Sequence, residues 1–263
     1  MATIRAAAHV HPYYPEAIKA SAFIKVFLGY AQAALGIKEE RIALLTSVCS
    51  DDLNSVEIPD TDMVGPFILG GLDGYPFAGR TGVGAFSHHL PERGAALLFF
   101  GPHVGITDKG EVGMVIRPGQ SRPSSCCGAG MAALQKLVAG TITYKPPSAY
   151  SVDDYQQETL EQLLLSHKQE IIGTEPADDA GRFVRMSEVV YRESKTTLER
   201  LLTGVHFDGP AFAFGGILIN EDHGRESSIA LRNVLRLEAR QLQDVTEQFS
   251  VQSRPQFDAL ESK

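Results

Sequence analysis

The chain has only three cysteines in 263 residues, no excess of basic side chains and no long apolar run. Each shortage excludes something. Three thiols cannot all pair as disulfides. With no secretory leader visible in MATIRAAAHVHPYYPEAIKA, they read as reduced intracellular thiols, whose use is metal binding or catalysis. A net charge of -8 argues against phosphate backbones and anionic lipid surfaces, which both need a basic face, so neither nucleic acid nor membrane is an expected partner. Spanning a bilayer takes roughly 18 consecutive apolar residues, and none of the runs is that long, so a soluble chain is expected. A transit peptide removed beforehand would leave an organelle such as the chloroplast stroma open as its address. The glycine-rich stretch from Gly70 to Gly84 holds neither a P-loop nor a placed GxGxxG, and there is no internal repeat or low-complexity tract.

What the chain does have is enough apolar material, 43% of its residues, for one full core. One domain over 1–250 is expected, followed by a polar, flexible tail over 251–263. Pro15 at a helix start, Phe23, Val26, Phe27, Tyr30 and Ala34 at helical spacing, and Gly36 at the far end describe a first amphipathic helix. RIALLTSVC, ending at Cys49, reads as a strand covered on both faces, GAALLFFGPHVGI as a second and GEVGMVIRPG as a third. Ser124 or Ser125 is placed to cap a helix with Cys126 and Cys127 in its first turn. Further helices are expected over LEQLLLSHKQEII, opened by a Ser151/Asp154 capping box, and over RFVRMSEVVYRESKTTLERLL. AFAFGGILIN is a late strand. SSIALRNVLRLE, with Ile229, Leu231, Asn233, Leu235 and Leu237 at period two, is its antiparallel partner. The fold class is therefore α/β, with a largely parallel central sheet, flanking helices and an antiparallel C-terminal strand.

Sheets of this kind place their sites just beyond the strand carboxyl ends. Cys49 ends the first strand, His103 follows the second by a Gly-Pro step, and Cys127 sits at a helix start, where dipole and free amides favour a thiolate. Two sulfurs and an imidazole make a zinc site, and three protein ligands are the catalytic pattern, because a structural zinc normally has four. An isolated cysteine is most often a small apolar filler. Three polar events at three chain reversals are not what packing requires. Asp51, two residues past Cys49, can accept a hydrogen bond from metal-bound water or take the open position itself. His88, with His89 as substitute, is the candidate proton shuttle, while His9, His11, His167, His206 and His223 read as surface residues. Leu72 and Phe86 are candidate walls of a small dry pocket. Ser47 is two residues from Cys49 along an extended strand, so it should project to the same side and line the approach.

CSDD after a buried strand is similar to the Cys-x-Asp start of the β-type carbonic anhydrase signature, and Cys127-Gly128 opening a helix is similar to its Cys-Gly. The wider set GGLDGYPFAGRTG, HLPERG, FFGPHVGI, GEVGMVIRPGQ and SSCCGAG resembles the limiting-CO2-inducible protein B/C family of algae, diatoms and relatives, a divergent β-carbonic-anhydrase-like group. The likeness runs from about Tyr13 to Glu238. It implies a homodimer with one zinc per chain on Cys49, His103 and Cys127, and Asp51 as the carboxylate of an Asp-Arg dyad. It also implies reversible hydration of CO2 to bicarbonate by a zinc-bound hydroxide, in inorganic-carbon handling. Two departures stand out. The dyad arginine should follow the aspartate by two, where this chain has Leu53, so Arg80 is chosen over Arg93, Arg117 and Arg122. The β-type histidine and second cysteine lie three apart, whereas 24 positions separate His103 from Cys127. Two rivals remain: a catalytically silent zinc-containing scaffold subunit of a CO2-concentrating assembly, and a cysteine-nucleophile enzyme using Cys127, His103 and Asp51.

Overall fold

The apolar run ending at Cys49 becomes an inner strand of an eight-stranded sheet. The structure is a computed structural model that describes Val10 and residues 12–54 and 62–261, so His9, His11 and part of the polar segment after Ser50 lie outside the described residues. In chain order come β1 (Ile18–Lys19), α1 (Ala20–Leu35), β2 (Ile42–Ser47), β3 (Val64–Ile68), α2 (Gly79–Ser87), β4 (Ala95–Phe100) and β5 (His103–Ile106). A two-stranded hairpin of β6 (Met114–Val115) and β7 (Ser124–Ser125) follows, then α3 (Gly128–Ala139), α4 (Tyr155–Ser166), α5 (Lys168–Ile172) and α6 (Asp179–Thr203). The chain closes with β8 (Ala211–Glu221), β9 (Ser228–Glu238), β10 (Gln241–Asp244) and α7 (Thr246–Glu261).

The sheet order is β1-β9-β8-β4-β2-β3, with β10 on β9 and β5 on β8. β2, β3, β4, β5 and β8 pair in parallel, and β9 turns back antiparallel to β8. The expected fold class is the one observed. On one face α1 and α7 cover Leu97, Phe99, Phe212 and Phe214. On the other, α2, α3, α4 and α6 cover the alternate residues of the same strands. Period-two alternation puts both halves of each strand into a core, which is why these strands read as continuous apolar runs.

GAALLFFGPHVGI is one strand interrupted by a kink. β4 pairs with Ala211–Gly215 of β8, and β5 pairs with Leu218–Glu221. Between them Gly101 takes φ 153, and a Cβ there would fall 1.7 Å from the Gly216 carbonyl oxygen, so only glycine permits the step. His103 is thereby the first residue of β5 rather than a loop residue.

Several expectations are corrected. Helix α1 begins at Ala20, not Pro15, because Ile18 and Lys19 pair with β9. GEVGMVIRPG supplies only the short β6 of the hairpin and touches the main sheet through a single bridge, Val112 to Ile106 of β5. Ser124 and Ser125 are strand residues, and the cap of α3 is Cys127 itself. The tail expected to be flexible over 251–263 is helical through Glu261, and its Phe257 packs with Phe249 and Phe23 at ring separations of 6.3 and 6.4 Å. Strand β9 does not keep one apolar face. Its register shifts opposite Gly215/Gly216, a bulge that sends Ile229 and Val234 to the α1 side and Leu235 and Leu237 to the other. Among the described residues no helix is long and apolar enough to cross a membrane.

Candidate metal centre

The carboxyl ends of β2 and β4 meet where Gly101 N–H donates to the Ser47 carbonyl at 3.1 Å. Beyond that clasp the chain delivers Cys49 from the first strand and His103 from the second. Cys127 arrives from the third side, as the N-cap of α3, with its sulfur accepting from the Gly130 amide at 3.5 Å. The Cys49 and Cys127 sulfurs lie 4.0 Å apart. Ligand atoms of Cys49, His103 and Cys127 all fall within 4.8 Å of one another, and the three residues are 6%, 1% and 1% exposed.

The second ring nitrogen decides how His103 is presented. Nδ1 is 2.7 Å from Asn220 Oδ1, a pure acceptor, so Nδ1 carries the proton and Nε2 the lone pair. Nε2 is buried without a hydrogen-bond partner. An orphaned imidazole nitrogen facing two sulfurs fits a divalent cation, and so does the sulfur spacing, since two thiolates on one tetrahedral zinc lie about 3.8 Å apart. Asn220 plays the part that outer partners of ligating histidines usually play, fixing tautomer and ring plane. It is held in turn by bonds from its amide to Leu53 O at 3.2 Å and Ser227 Oγ at 3.1 Å. A second grouping, Asp51, His103 and Cys126, is also tight. Cys126, however, sits 3.5 Å from Nδ1, the nitrogen already committed to Asn220. The geometry therefore favours the Cys127 side.

The protein groups alone cannot keep both sulfurs charged. A hydrogen bond from Cys127 holds Cys49 down at about 4 against the opposing effect of burial, and the same bond, with burial and nearby Asp73, pushes Cys127 well up. One proton thus sits between two sulfurs, and a metal would have to displace it. The thiolate expected of Cys127 at the helix start would therefore form as that proton leaves. Burial lowers the His103 pKa, but the sulfurs of Cys126 and Cys49 outweigh it and raise it well above the usual value, so without a metal Nε2 also holds a proton, which a metal would have to displace to reach the lone pair.

Asp51 finds its arginine, and it is not Arg80. Arg117 Nη2 donates to Asp51 Oδ2 at 2.6 Å, and the Leu53 amide donates to Oδ1 at 3.1 Å. The same guanidinium reaches Asp52, Ser124 Oγ at 2.6 Å and the Ser125 carbonyl, tying the loop after β2 to the β6–β7 hairpin. Burial opposes ionisation of Asp51, but the Leu53 amide, His103 and Arg117 together hold its carboxyl below the usual range. Arg80 is exposed on α2 and points toward the end of α6, close to Gly204.

The other expected residues are not at the centre. α2 runs from the carboxyl end of the sheet back toward the start of β4, about 13 Å for nine residues, and His88 caps its far end, exposed. His89 meets Phe67 edge-on there, and Phe86 packs between Phe67 and Phe207. Ser47 does not line an approach. It is fully buried, and its hydroxyl donates to the Gly74 carbonyl at 2.9 Å, bracing the turn Leu72–Gly74 against β2. Sequence reasoning missed Asn220 and Asp73. Asn220 could have been found as a polar residue in the buried run AFAFGGILIN; Asp73 sits inside a glycine-rich turn and looked like turn chemistry. Its burial pushes its carboxyl up to about 7, with His103 pulling the other way.

A family model described as limiting CO2-inducible proteins B/C beta carbonic anhydrases matches residues 21–238. The crystal structure of PtLCIB4, a homolog of the limiting CO2-inducible protein LCIB, is similar with a TM-score of 0.78 and 25% identity, over 90% of this chain and 98% of that one. The crystal structure of limiting CO2-inducible protein LCIB is similar with a TM-score of 0.68 and 18% identity, over 91% and 98%. A comparison with curated proteins finds no match.

Proposed function

Because the chain belongs to the family of limiting CO2-inducible proteins B/C beta carbonic anhydrases, we propose that it is a zinc-dependent carbonic anhydrase that interconverts CO2 and bicarbonate in inorganic-carbon handling. One observation carries the reading: Cys49, His103 and Cys127 converge with the His103 Nε2 lone pair unpartnered between them. These three residues would hold one zinc per chain. A zinc ion there would bring the pKa of a water molecule toward neutrality and so supply hydroxide to CO2 at neutral pH.

The remaining work belongs to the protein. Asn220 keeps the proton on His103 Nδ1 and so keeps Nε2 free. Arg117 holds the Asp51 carboxylate ionised and fixed in direction, ready to accept a proton from the reacting water. A polar pocket lined by Asp52, Leu53, Pro118, Asn220 and Arg225 borders Asn220, the partner of His103 Nδ1. His88 caps the far end of α2, whereas exposed Asp52 shares Arg117 with Asp51 and is the candidate proton exit. Replacing Arg117 with glutamine should leave zinc content near one per chain while lowering CO2 hydration about 10- to 100-fold, the range seen for outer partners of metal sites. Unchanged turnover would show that the pair only braces the loop.

We also propose that the chain is a homodimer. β3 is an edge strand whose Val64 and Ile68 are 46% and 64% exposed, and an apolar edge of that kind invites pairing with a second copy. Light scattering should give twice the mass of one chain; a monomeric mass would contradict it. The silent-subunit reading is favoured by the depth of the centre, whose three ligands are almost sealed from solvent. Metal analysis tests the shared premise. About one zinc per chain, removable by chelator, is expected, and a folded protein that takes up no zinc would sink both readings.

A further inference from the structure

Asp73 is the buried acid that the proposed chemistry leaves unused. It is 1% exposed, in a turn where its φ of 51 lies in the left-handed region. Its amide donates to the Cys49 sulfur at 3.2 Å, so the turn is fastened directly to a proposed ligand. Its carboxylate lies over the first turn of α3, where a Cβ on Gly130 would come within 3.1 Å of Oδ2. Gly130 is the residue whose amide meets Cys127. Both carboxylate oxygens are buried without a hydrogen-bond partner; the His103 amide and the Cys127 thiol lie toward them, but neither bond meets the geometry.

An acid in that position is costly unless a cation or a donor faces it. The guanidinium of Arg117 is occupied by Asp51, Asp52 and the hairpin. Asp51 differs in the decisive respect, for each of its oxygens already accepts a bond. We infer that Asp73 is a further residue of the metal centre, its carboxylate held to face the cation bound by Cys49, His103 and Cys127. Its oxygens stand outside the group of ligand atoms that lie within 4.8 Å of one another, so it would act on a bound cation as an outer partner and not as a fourth member of that group. The inference rests on the zinc reading above and adds a residue to it: both Asp73 oxygens are unpartnered, whereas each Asp51 oxygen already accepts one bond.

The two roles open to Asp73 give opposite signs in one variant. Asp73→Asn keeps the shape of the side chain, and asparagine tolerates the left-handed φ. Zinc affinity by competition with a chelator, and the thermal midpoint of chelator-stripped protein, are measured for wild type and variant. Zinc affinity should fall about 10- to 100-fold, as for other outer partners of metal ligands. The stripped variant should melt at or above the stripped wild type, because an unpartnered buried acid has been removed. Asp73→Ser, smaller and uncharged, should lose zinc affinity in the same way. Unchanged affinity in both variants would overturn the inference while leaving the zinc reading intact. A stripped Asp73→Asn protein that melts lower, or fails to fold, would make Asp73 a structural residue and also overturn it. Wild-type protein that binds no zinc would overturn the zinc reading itself, and this inference with it.

Discussion

Cys127→Ser should lose zinc almost completely and lower CO2 hydration by more than about 100-fold, beyond the range for outer partners, whereas Cys126→Ser should keep both near wild type. The two adjacent cysteines do different things. The Cys127 sulfur faces Cys49 across 4.0 Å and the orphaned side of the His103 ring. The Cys126 sulfur faces the other side, 3.5 Å from Nδ1 and 3.4 Å from Asn220 Oδ1, where a serine hydroxyl can take its place as a donor. Removing Cys127 leaves two ligands, and two do not hold zinc against competing buffer ligands. Zinc content by elemental analysis, together with the hydration rate, reads both variants. The reverse pattern would place the metal on the Asp51–His103–Cys126 grouping instead.

Ser47→Arg should not yield folded protein. From the strand pattern alone, a long cation at this position would block the path to the metal and leave the zinc in place. The structure changes that expectation. Ser47 is fully buried, its hydroxyl is bonded to Gly74, and its carbonyl anchors Gly101. Behind it there is no room either: a Cβ on Gly74 would fall 2.1 Å from the Gly101 carbonyl oxygen. A guanidinium forced into this space meets both overpacking and an unpaired buried charge, a combination that costs on the order of 5 kcal/mol or more and approaches the whole stability of a domain. Ser47→Ala, which removes only one hydrogen bond, should cost about 1 kcal/mol. Denaturant unfolding of the alanine variant and the soluble yield of the arginine variant check the pair. A well-folded, zinc-loaded, inactive Ser47→Arg protein would mean that the side chain reaches a channel after all.

The strands that position the centre were legible because burial on both faces leaves a plain apolar signature, as in IALLTS and AFAFGGILINE. Their ends are legible too, and they place Cys49, His103 and Cys127 at one end of the sheet. The partner of Asp51 was not legible. Arg117 comes from a hairpin outside the main sheet, and local spacing carries no information about a contact 66 residues away. Asp73 and Ser47 failed for another reason, since turn propensity and strand alternation say which way a residue points but not what closes over it. The C-terminal helix was hidden by composition: its polar surface outweighs two phenylalanines, Phe249 and Phe257, that do the packing. The bulge in β9 was invisible because period two was carried across a register shift.

The central claim is that this buried sulfur–imidazole centre turns over CO2, and the most direct measurement is the rate of CO2 hydration by purified protein before chelation, after chelation and after zinc is restored. The account predicts hydration well above the uncatalysed rate that disappears with the metal and returns with it. Protein that carries one zinc per chain on Cys49, His103 and Cys127, yet hydrates CO2 no faster than buffer, would contradict it and leave the silent zinc-containing subunit as the reading.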